Sequence, residues 1–252
     1  MSSPGLPSYP EAALEWLVPA PLGDAKVLVL GRSSAPVIES LARTSAALFA
    51  TDASRAGLRT LLHRAPRALP TVARADRLPF VPCAFDAVVV HQSLHTLDLD
   101  AVLPEIARVL VPGGRLAVSW TIRDDSVPWV RRLATLMRGV DPSAMTGDYG
   151  TDAVAALGAS PHFTDVEHRG HRLWVPISRV DLMDMVANRF PSLEPERLSE
   201  LLDAVGALYE SSARPPTPLL LPYQVACWRA TVDHSEFTSQ LEPPTQSLRF
   251  SL

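Results

Sequence analysis

The sequence predicts an α/β fold in which an open, doubly wound sheet carries helices on both faces. First, residues 26–120 alternate short apolar runs with amphipathic stretches, which is the pattern of repeated β-α-β units. Second, the apolar runs are continuous, as expected for parallel strands that are buried on both faces. Third, the connections are short, so neighbouring parallel strands joined by right-handed crossovers are the default.

Five strands and three helices are predicted in this first half. The first three clear strands are followed by Gly31, Asp52 and His91, and the last clear strand follows a turn at 112–114. The strands are predicted at 26–30, 46–50, 85–90 and 115–120, with a weaker one at 71–74. The helices are predicted at 36–43, 54–64 and 99–110.

After Trp120 the regular alternation of apolar runs and amphipathic stretches ends. Here the sequence predicts helices at 126–138, 152–157, 178–189 and 195–212 and strands at 163–175 and 223–232. We interpret the chain as one domain over 1–234, with a core at 24–122, a lid or substrate region at 126–215 and a flexible tail at 235–252. Met183 and Met185 are interpreted as part of the apolar face of a lid helix, with an apolar substrate pocket as the alternative.

The composition excludes several classes of protein. Lys and Arg number 23 and Asp and Glu 27, a net charge of −4, which does not favour nucleic acid or an anionic membrane as a partner. The first residues lack the pattern of a secretory signal, and no apolar run reaches the roughly 18 residues of a membrane span. Two cysteines give neither a disulfide framework nor a zinc site. We therefore expect a cytoplasmic globular protein without a metal site.

The candidate site follows from the predicted sheet. In open α/β sheets, ligands bind outside the carboxyl ends of the strands, where the strand order reverses. The residues there are 31–36, Asp52, Asp76 and 91–95. A carboxylate after the second strand can accept hydrogen bonds from ribose hydroxyls, so Asp52 is a candidate ligand for a nucleotide. The alternative is that Asp52 caps the following helix.

A combination of motifs in the middle of the chain carries a family resemblance. They are Asp76 before Leu-Pro-Phe at 78–80, Phe-Asp at 85–86, His95, and an apolar segment at 106–110 that leads into Pro-Gly-Gly at 112–114. Residues 24–122 resemble the nucleotide-binding core of class I S-adenosylmethionine-dependent methyltransferases, in the small-molecule branch related to the ubiquinone and trans-aconitate enzymes. The later strands resemble the last two strands of that family more loosely.

The resemblance implies a Rossmann-like, seven-stranded sheet of order 3-2-1-4-5-7-6 with strand 7 antiparallel, and S-adenosylmethionine as the cofactor. The first loop would contact the methionine part, Asp52 the ribose, and Asp76 the adenine. The cofactor-binding residues so implied are Gly31, Arg32, Ser33, Ser34, Ala35, Asp52, Ala53, Asp76, Arg77 and His91.

The first loop departs from the family pattern of an acidic residue followed by Gly-x-Gly-x-Gly. The acidic position is Val29, and Gly31 alone remains of the three glycines, with Ser33 and Ala35 at the other two positions. Glycine permits a tight turn and a close approach of the backbone to the cofactor. Either the hydroxyls of Ser33 and Ser34 replace the lost contacts, or the fold persists as a non-catalytic scaffold or regulator that binds a partner chain.

The resemblance implies methyl transfer to a small-molecule acceptor by in-line displacement, in which positioning supplies much of the acceleration. His91 and His95 are the candidate catalytic bases. The alternative is that His95 packs against the cofactor or the following helix and that His91 lies at the rim of the site. A homodimer or a protein partner is compatible with the sequence. A nicotinamide-dependent dehydrogenase is a weaker third hypothesis, since the first loop lacks Gly-x-Gly-x-x-Gly.

Overall fold

The computed structural model describes residues 9–18, 22–44, 47–142, 144 and 150–239. Its seven strands form a single sheet of order β3-β2-β1-β4-β5-β7-β6. The pairs from β3 to β5 are parallel, and β7 runs antiparallel to both of its neighbours, which confirms the predicted fold class. The strands are β1 (Lys26–Leu30), β2 (Ala47–Asp52), β3 (Leu69–Val72), β4 (Phe85–His91), β5 (Leu110–Arg123), β6 (Phe163–Ile177) and β7 (Leu219–Val232).

Helices cover both faces of the sheet. They are α1 (Glu11–Leu17), α2 (Ala35–Leu41), α3 (Arg55–Arg64), α4 (Leu99–Val109), α5 (Pro128–Arg138), α6 (Thr151–Ala159), α7 (Arg179–Arg189), α8 (Pro195–Ser212) and α9 (Ser235–Ser239). Two of them begin at a serine whose hydroxyl accepts from a backbone N–H of the first turn: Ser54 from Gly57 at 3.0 Å and Ser178 from Asp181 at 3.1 Å. Such caps satisfy donors that lack a partner within the helix.

The core consists of three apolar clusters. Alternate residues of β1 point to opposite faces, so Val27 and Val29 pack with α1, α2 and α3, whereas Leu28 and Leu30 pack with α4 and α6. The third cluster joins α5, α7 and α8 to the ends of β6 and β7. This third cluster lies in the part of the chain that the sequence assigns to the lid, and we call it the lid cluster.

Several elements differ from their predicted bounds. β5 has fourteen residues rather than the six predicted. Its carboxyl end extends to Arg123 because β7 pairs with it there, and its first residue, Leu110, pairs with Phe85 of β4. β2 extends through Asp52, two residues farther than predicted. The tail predicted as flexible begins with α9, where the ring of Phe237 stacks on His162 at 5.1 Å, while residues 240–252 lie outside the described residues. No described helix is both long and apolar enough to cross a membrane.

Candidate active site

A cavity of about 360 Å³ lies at the carboxyl ends of β1, β2 and β4. Five of the ten predicted cofactor-binding residues line it: Gly31, Arg32, Ser33, Asp52 and Ala53. The cavity sits where the strand order reverses between β1 and β4, the expected place for a ligand in a doubly wound sheet. The other five predicted residues, Ser34, Ala35, Asp76, Arg77 and His91, are not part of this lining.

Gly31 gives the first loop its shape. Its φ of +78° lies in the region that favours glycine, and its amide donates to the carbonyl of Thr51 at 2.8 Å. A Cβ at this position would lie 3.5 Å from the hydroxyl of Ser93 across the cavity. The glycine that the sequence retains is therefore the one that the backbone needs.

The rest of the loop is held by its own chain. The buried hydroxyl of Ser34 donates to the carbonyl of Leu30 at 2.7 Å and accepts from the amide of His91 at 3.0 Å. Ala35 is the first residue of α2, and Val29 is fully buried in the core. Ser34 therefore joins β1 to β4, Ala35 begins a helix, and neither residue lines the cavity.

Asp52 connects two loops beside the cavity. One carboxylate oxygen accepts from the amide of Arg32 at 2.8 Å, and the other from the amide and hydroxyl of Ser54 at 2.8 and 2.9 Å. The side chain that caps α3 is that of Ser54, so Asp52 positions the cap and does not serve as the cap itself. Asp52 also lines the cavity, as the expected ribose-binding role requires.

Gly57 leaves the space that the Asp52 carboxylate occupies, which gives a first prediction. A Cβ at Gly57 would lie 2.2 Å from Oδ1 of Asp52, so Gly57→Ala should destabilise the fold by about 1–2 kcal/mol despite the higher helix propensity of alanine. Gly158→Ala in α6 is the matched control, since nothing lies within 4 Å of its added Cβ, and it should stabilise by roughly 0.5–1 kcal/mol. Urea unfolding measures both, and equal stabilisation would contradict the packing argument.

Asp76 and Arg77 follow the cavity residue Ala75 but are not part of the cavity lining. The Asp76 carboxylate accepts from Nε of Arg74 at 2.9 Å, and this hydrogen bond lowers the pKa of Asp76. The loop that follows is anchored to α4, where Arg108 donates to the carbonyls of Phe80 and Leu78 at 2.8 and 3.0 Å. The motif around Leu-Pro-Phe therefore has a structural role in this chain.

His91 is a packing residue in this structure. It is 2% exposed, its Nδ1 lies 2.9 Å from the hydroxyl of Ser119, and the ring of Tyr9 meets it edge-on at 5.6 Å. Burial lowers the pKa of His91 to about 4, which makes the imidazole a weak base. The structure thus places His91 in the core and not at the rim of the site, and this burial disfavours catalysis by His91.

The depressed pKa of His91 predicts acid sensitivity. The unfolded chain binds a proton here near the ordinary value of 6.5, while the folded chain does so only near 4. The stabilisation is therefore complete above about pH 6.5 and lost as the pH falls to about 4, by up to about 3 kcal/mol. Urea unfolding between these pH values should show that the free energy of unfolding falls more steeply with decreasing pH for wild type than for His91→Asn. Equal pH dependence in the two proteins would contradict this prediction.

His95 is held by a tryptophan. Nε1 of Trp120 donates to Nδ1 of His95 at 3.2 Å. An indole N–H only donates, so Nδ1 must accept and the proton of the neutral ring lies on Nε2. In this tautomer neither nitrogen has a free lone pair to accept a proton from a substrate while the hydrogen bond to Trp120 is made. The His95 side chain is nevertheless exposed and lines a second cavity beside α6.

Two cavity residues were missed as individual candidates. Thr51 is 1% exposed, and its hydroxyl is a buried polar atom without a hydrogen-bond partner among the described residues. Gln92 has a φ of +62°, and its side-chain amide donates to the carbonyl of Thr121 at 2.8 Å. Strand alternation could not have placed Gln92, because it follows the last residue of β4 and has a positive φ.

The comparisons with known proteins agree with this architecture. A family model described as a methyltransferase domain matches residues 28–118. An uncharacterized methyltransferase of Mycobacterium tuberculosis is 32% identical over 237 residues, which cover 90% of this chain and 91% of the relative. The chain belongs to the class I S-adenosylmethionine-dependent methyltransferases. It is an enzyme of that family, as the sequence predicted.

Other relatives of this methyltransferase are more distant. A demethylmenaquinone methyltransferase of Corynebacterium urealyticum is 36% identical over 115 residues, 45% of this chain and 47% of that protein. A solved structure from Anaeromyxobacter dehalogenans, provisionally described as a Type II methyltransferase, superposes with a TM-score of 0.61 at 22% identity and covers 89% of this chain and 97% of its own. The latter likeness shows the shared fold.

The cavity of the methyltransferase fits the cofactor of its family. Thr51 offers an unpaired hydroxyl, Asp52 a carboxylate, and Ala53, Ala73 and Ala75 small side chains that leave space for a flat base. Buried polar groups in native proteins are normally paired, so the unpaired Thr51 hydroxyl at the wall of the cavity is compatible with a polar ligand there. Among the described residues, no group of three or more His, Cys, Asp or Glu side chains is placed to hold a metal ion.

Proposed function

We propose that this chain binds S-adenosylmethionine in the 360 Å³ cavity and transfers its methyl group to a small-molecule acceptor. The observation that carries the proposal is the position of Asp52. Its carboxylate lies in the cavity lining and is braced by the amides of Arg32 and Ser54, so it is fixed in place beside the switch point of the sheet.

The chain's own residues position the reactants. Asp52 orients a ribose through its carboxylate, the loop at Gly31 brings backbone close to the ligand, and Ala73 and Ala75 form one wall of the slot. The bound sulfonium supplies an activated methyl group. Since His91 and His95 are both engaged in packing and hydrogen bonds, the rate enhancement rests on holding the acceptor in line with that methyl group.

The lid cluster supports a small molecule as the acceptor. It places α5, α7 and α8 against the ends of β6 and β7, where they can enclose a ligand and exclude water. One relative in the family is named for a small quinone-type acceptor, demethylmenaquinone. The helices of the lid cluster are packed on a buried apolar core of their own, so they form a stable cover for such a ligand.

A calorimetric titration with S-adenosylmethionine and S-adenosylhomocysteine tests the proposal. We expect micromolar binding, which corresponds to roughly −8 kcal/mol. Absence of heat up to millimolar ligand, from protein with the circular dichroism of the folded state, would overturn it. That outcome would favour the alternative of a non-catalytic methyltransferase-like protein that binds a partner chain.

A further inference from the structure

The extension of β5 beyond its neighbour forms a second polar feature next to the cavity. β4 ends at His91, which pairs with Ser119, whereas β5 continues to Arg123 beside β7 alone. Gln92 lines the cavity and donates to the carbonyl of Thr121 at 2.8 Å. Arg123 follows two residues later on the same face of the strand, roughly 7 Å farther along.

The guanidinium of Arg123 has only neutral partners. It donates to the sulfur of Met185 in α7 at 3.0 Å and hydrogen-bonds the phenol of Tyr223. Burial raises the pKa of Tyr223, so this phenol carries no charge at neutral pH. The Nε of Arg123 is buried without an acceptor among the described residues.

Nearby carboxylates are used elsewhere. Asp124, the next residue, pairs with Nε of Arg172 at 2.8 Å. Two other partly buried arginines, Arg108 and Arg229, each have a glutamate partner at 2.7 and 2.8 Å. Arg123 forms an ion pair with none of the carboxylates in the described parts of the chain. An unpaired charge at a half-buried position costs stability, which calls for a reason to keep it.

A carboxylate ligand would provide that reason. The planar guanidinium presents parallel N–H donors that match a carboxylate in a bidentate arrangement. Met185 in α7 and the ring of Tyr223 give the same site apolar walls. Arg123 thus contacts the lid helix α7 through Met185 and follows Thr121, whose carbonyl accepts from the cavity residue Gln92.

We propose that Arg123 is a specificity-determining residue that binds a carboxylate or similarly delocalised anionic group on the methyl acceptor. This inference rests on the proposed function, because it assigns the acceptor's chemical class at the same site. The acceptor would combine an anionic group, held by Arg123, with an apolar body that packs against Met185 and Tyr223.

Benzoate and its neutral analogue benzamide test the charge requirement. The full-length protein, alone and loaded with S-adenosylhomocysteine, is titrated with each probe by calorimetry and by the shift in melting temperature. Wild type should bind benzoate at least about tenfold more tightly than benzamide. Arg123→Met keeps an unbranched apolar side chain without the charge and should lose this preference. Arg64→Met, which removes an arginine of α3 paired with Glu39 of α2, should retain it.

The outcomes separate this inference from the proposed function. Equal affinity for the two probes, no binding of benzoate below roughly 50 mM, or full preference in Arg123→Met would each overturn the role of Arg123. Binding of S-adenosylhomocysteine is measured separately and should change less than about twofold in both variants. If the cofactor analogue fails to bind while the benzoate preference is present, the proposed function falls and the anion site stands.

Discussion

Asp52→Ala is expected to weaken binding of S-adenosylhomocysteine by at least about a hundredfold, or about 2.7 kcal/mol. The loss combines two effects. The ribose loses a charged acceptor, and charged hydrogen bonds contribute about 1.5–3 kcal/mol each. The amides of Arg32 and Ser54, which the carboxylate holds at 2.8 Å, lose their acceptor, so the two loops that form the cavity are no longer braced.

Asp86→Ala is the matched control for this variant. The Asp86 carboxylate also joins two strands, accepting from the amide of Lys26 at 2.8 Å, but at the amino end of β1, opposite the cavity. Its loss should lower the free energy of unfolding by about 1 kcal/mol and leave the affinity for S-adenosylhomocysteine within about twofold. Wild-type affinity in Asp52→Ala, or equal losses in both variants, would show that Asp52 does not contact the cofactor.

The parallel strands within residues 26–120 were predictable because strands that are buried on both faces have continuous apolar sequences. β1 was predicted to the residue, and α8 was predicted with the bounds that the structure gives. The full length of β5 was not predicted. Its last residues, from Thr121 to Arg123, pair with β7, which lies about a hundred positions later in the chain. Pairing over such a distance leaves no local pattern.

The position of the candidate site was predictable from the sequence. The directions in which its side chains point were less predictable. Residues at the carboxyl ends of β1 and β2 do line the cavity, since sheet topology fixes where those ends meet. The hydrogen bonds of Ser34 to Leu30 and His91 depend on the exact offset between β1 and β4, which the sequence does not encode locally. Arg123 was missed because it lies three residues past the predicted end of its strand.

Trp120→Ala is expected to cause the largest loss of stability, about 3–5 kcal/mol in the free energy of unfolding. Trp120 is among the largest fully buried side chains, and the ring of Trp228 meets it edge-on at 5.3 Å. A Cβ at Gly150 would lie 2.3 Å from its ring, so Gly150, the residue before α6, packs closely against the indole. Truncation opens a cavity that this close packing cannot fill, and it leaves Nδ1 of His95 without its donor.

Trp174→Ala is the matched control, because Trp174 lies on the edge strand β6 and is 49% exposed. Its loss should cost less than about 1 kcal/mol. Trp120→Phe should fall between wild type and Trp120→Ala, since it keeps an aromatic ring but removes the indole N–H. Urea unfolding of the three variants measures these differences in the free energy of unfolding. Equal stability of Trp120→Ala and Trp174→Ala would contradict this prediction. It would show that the packing of Trp120 against Gly150 and His95 does not stabilise this part of the fold.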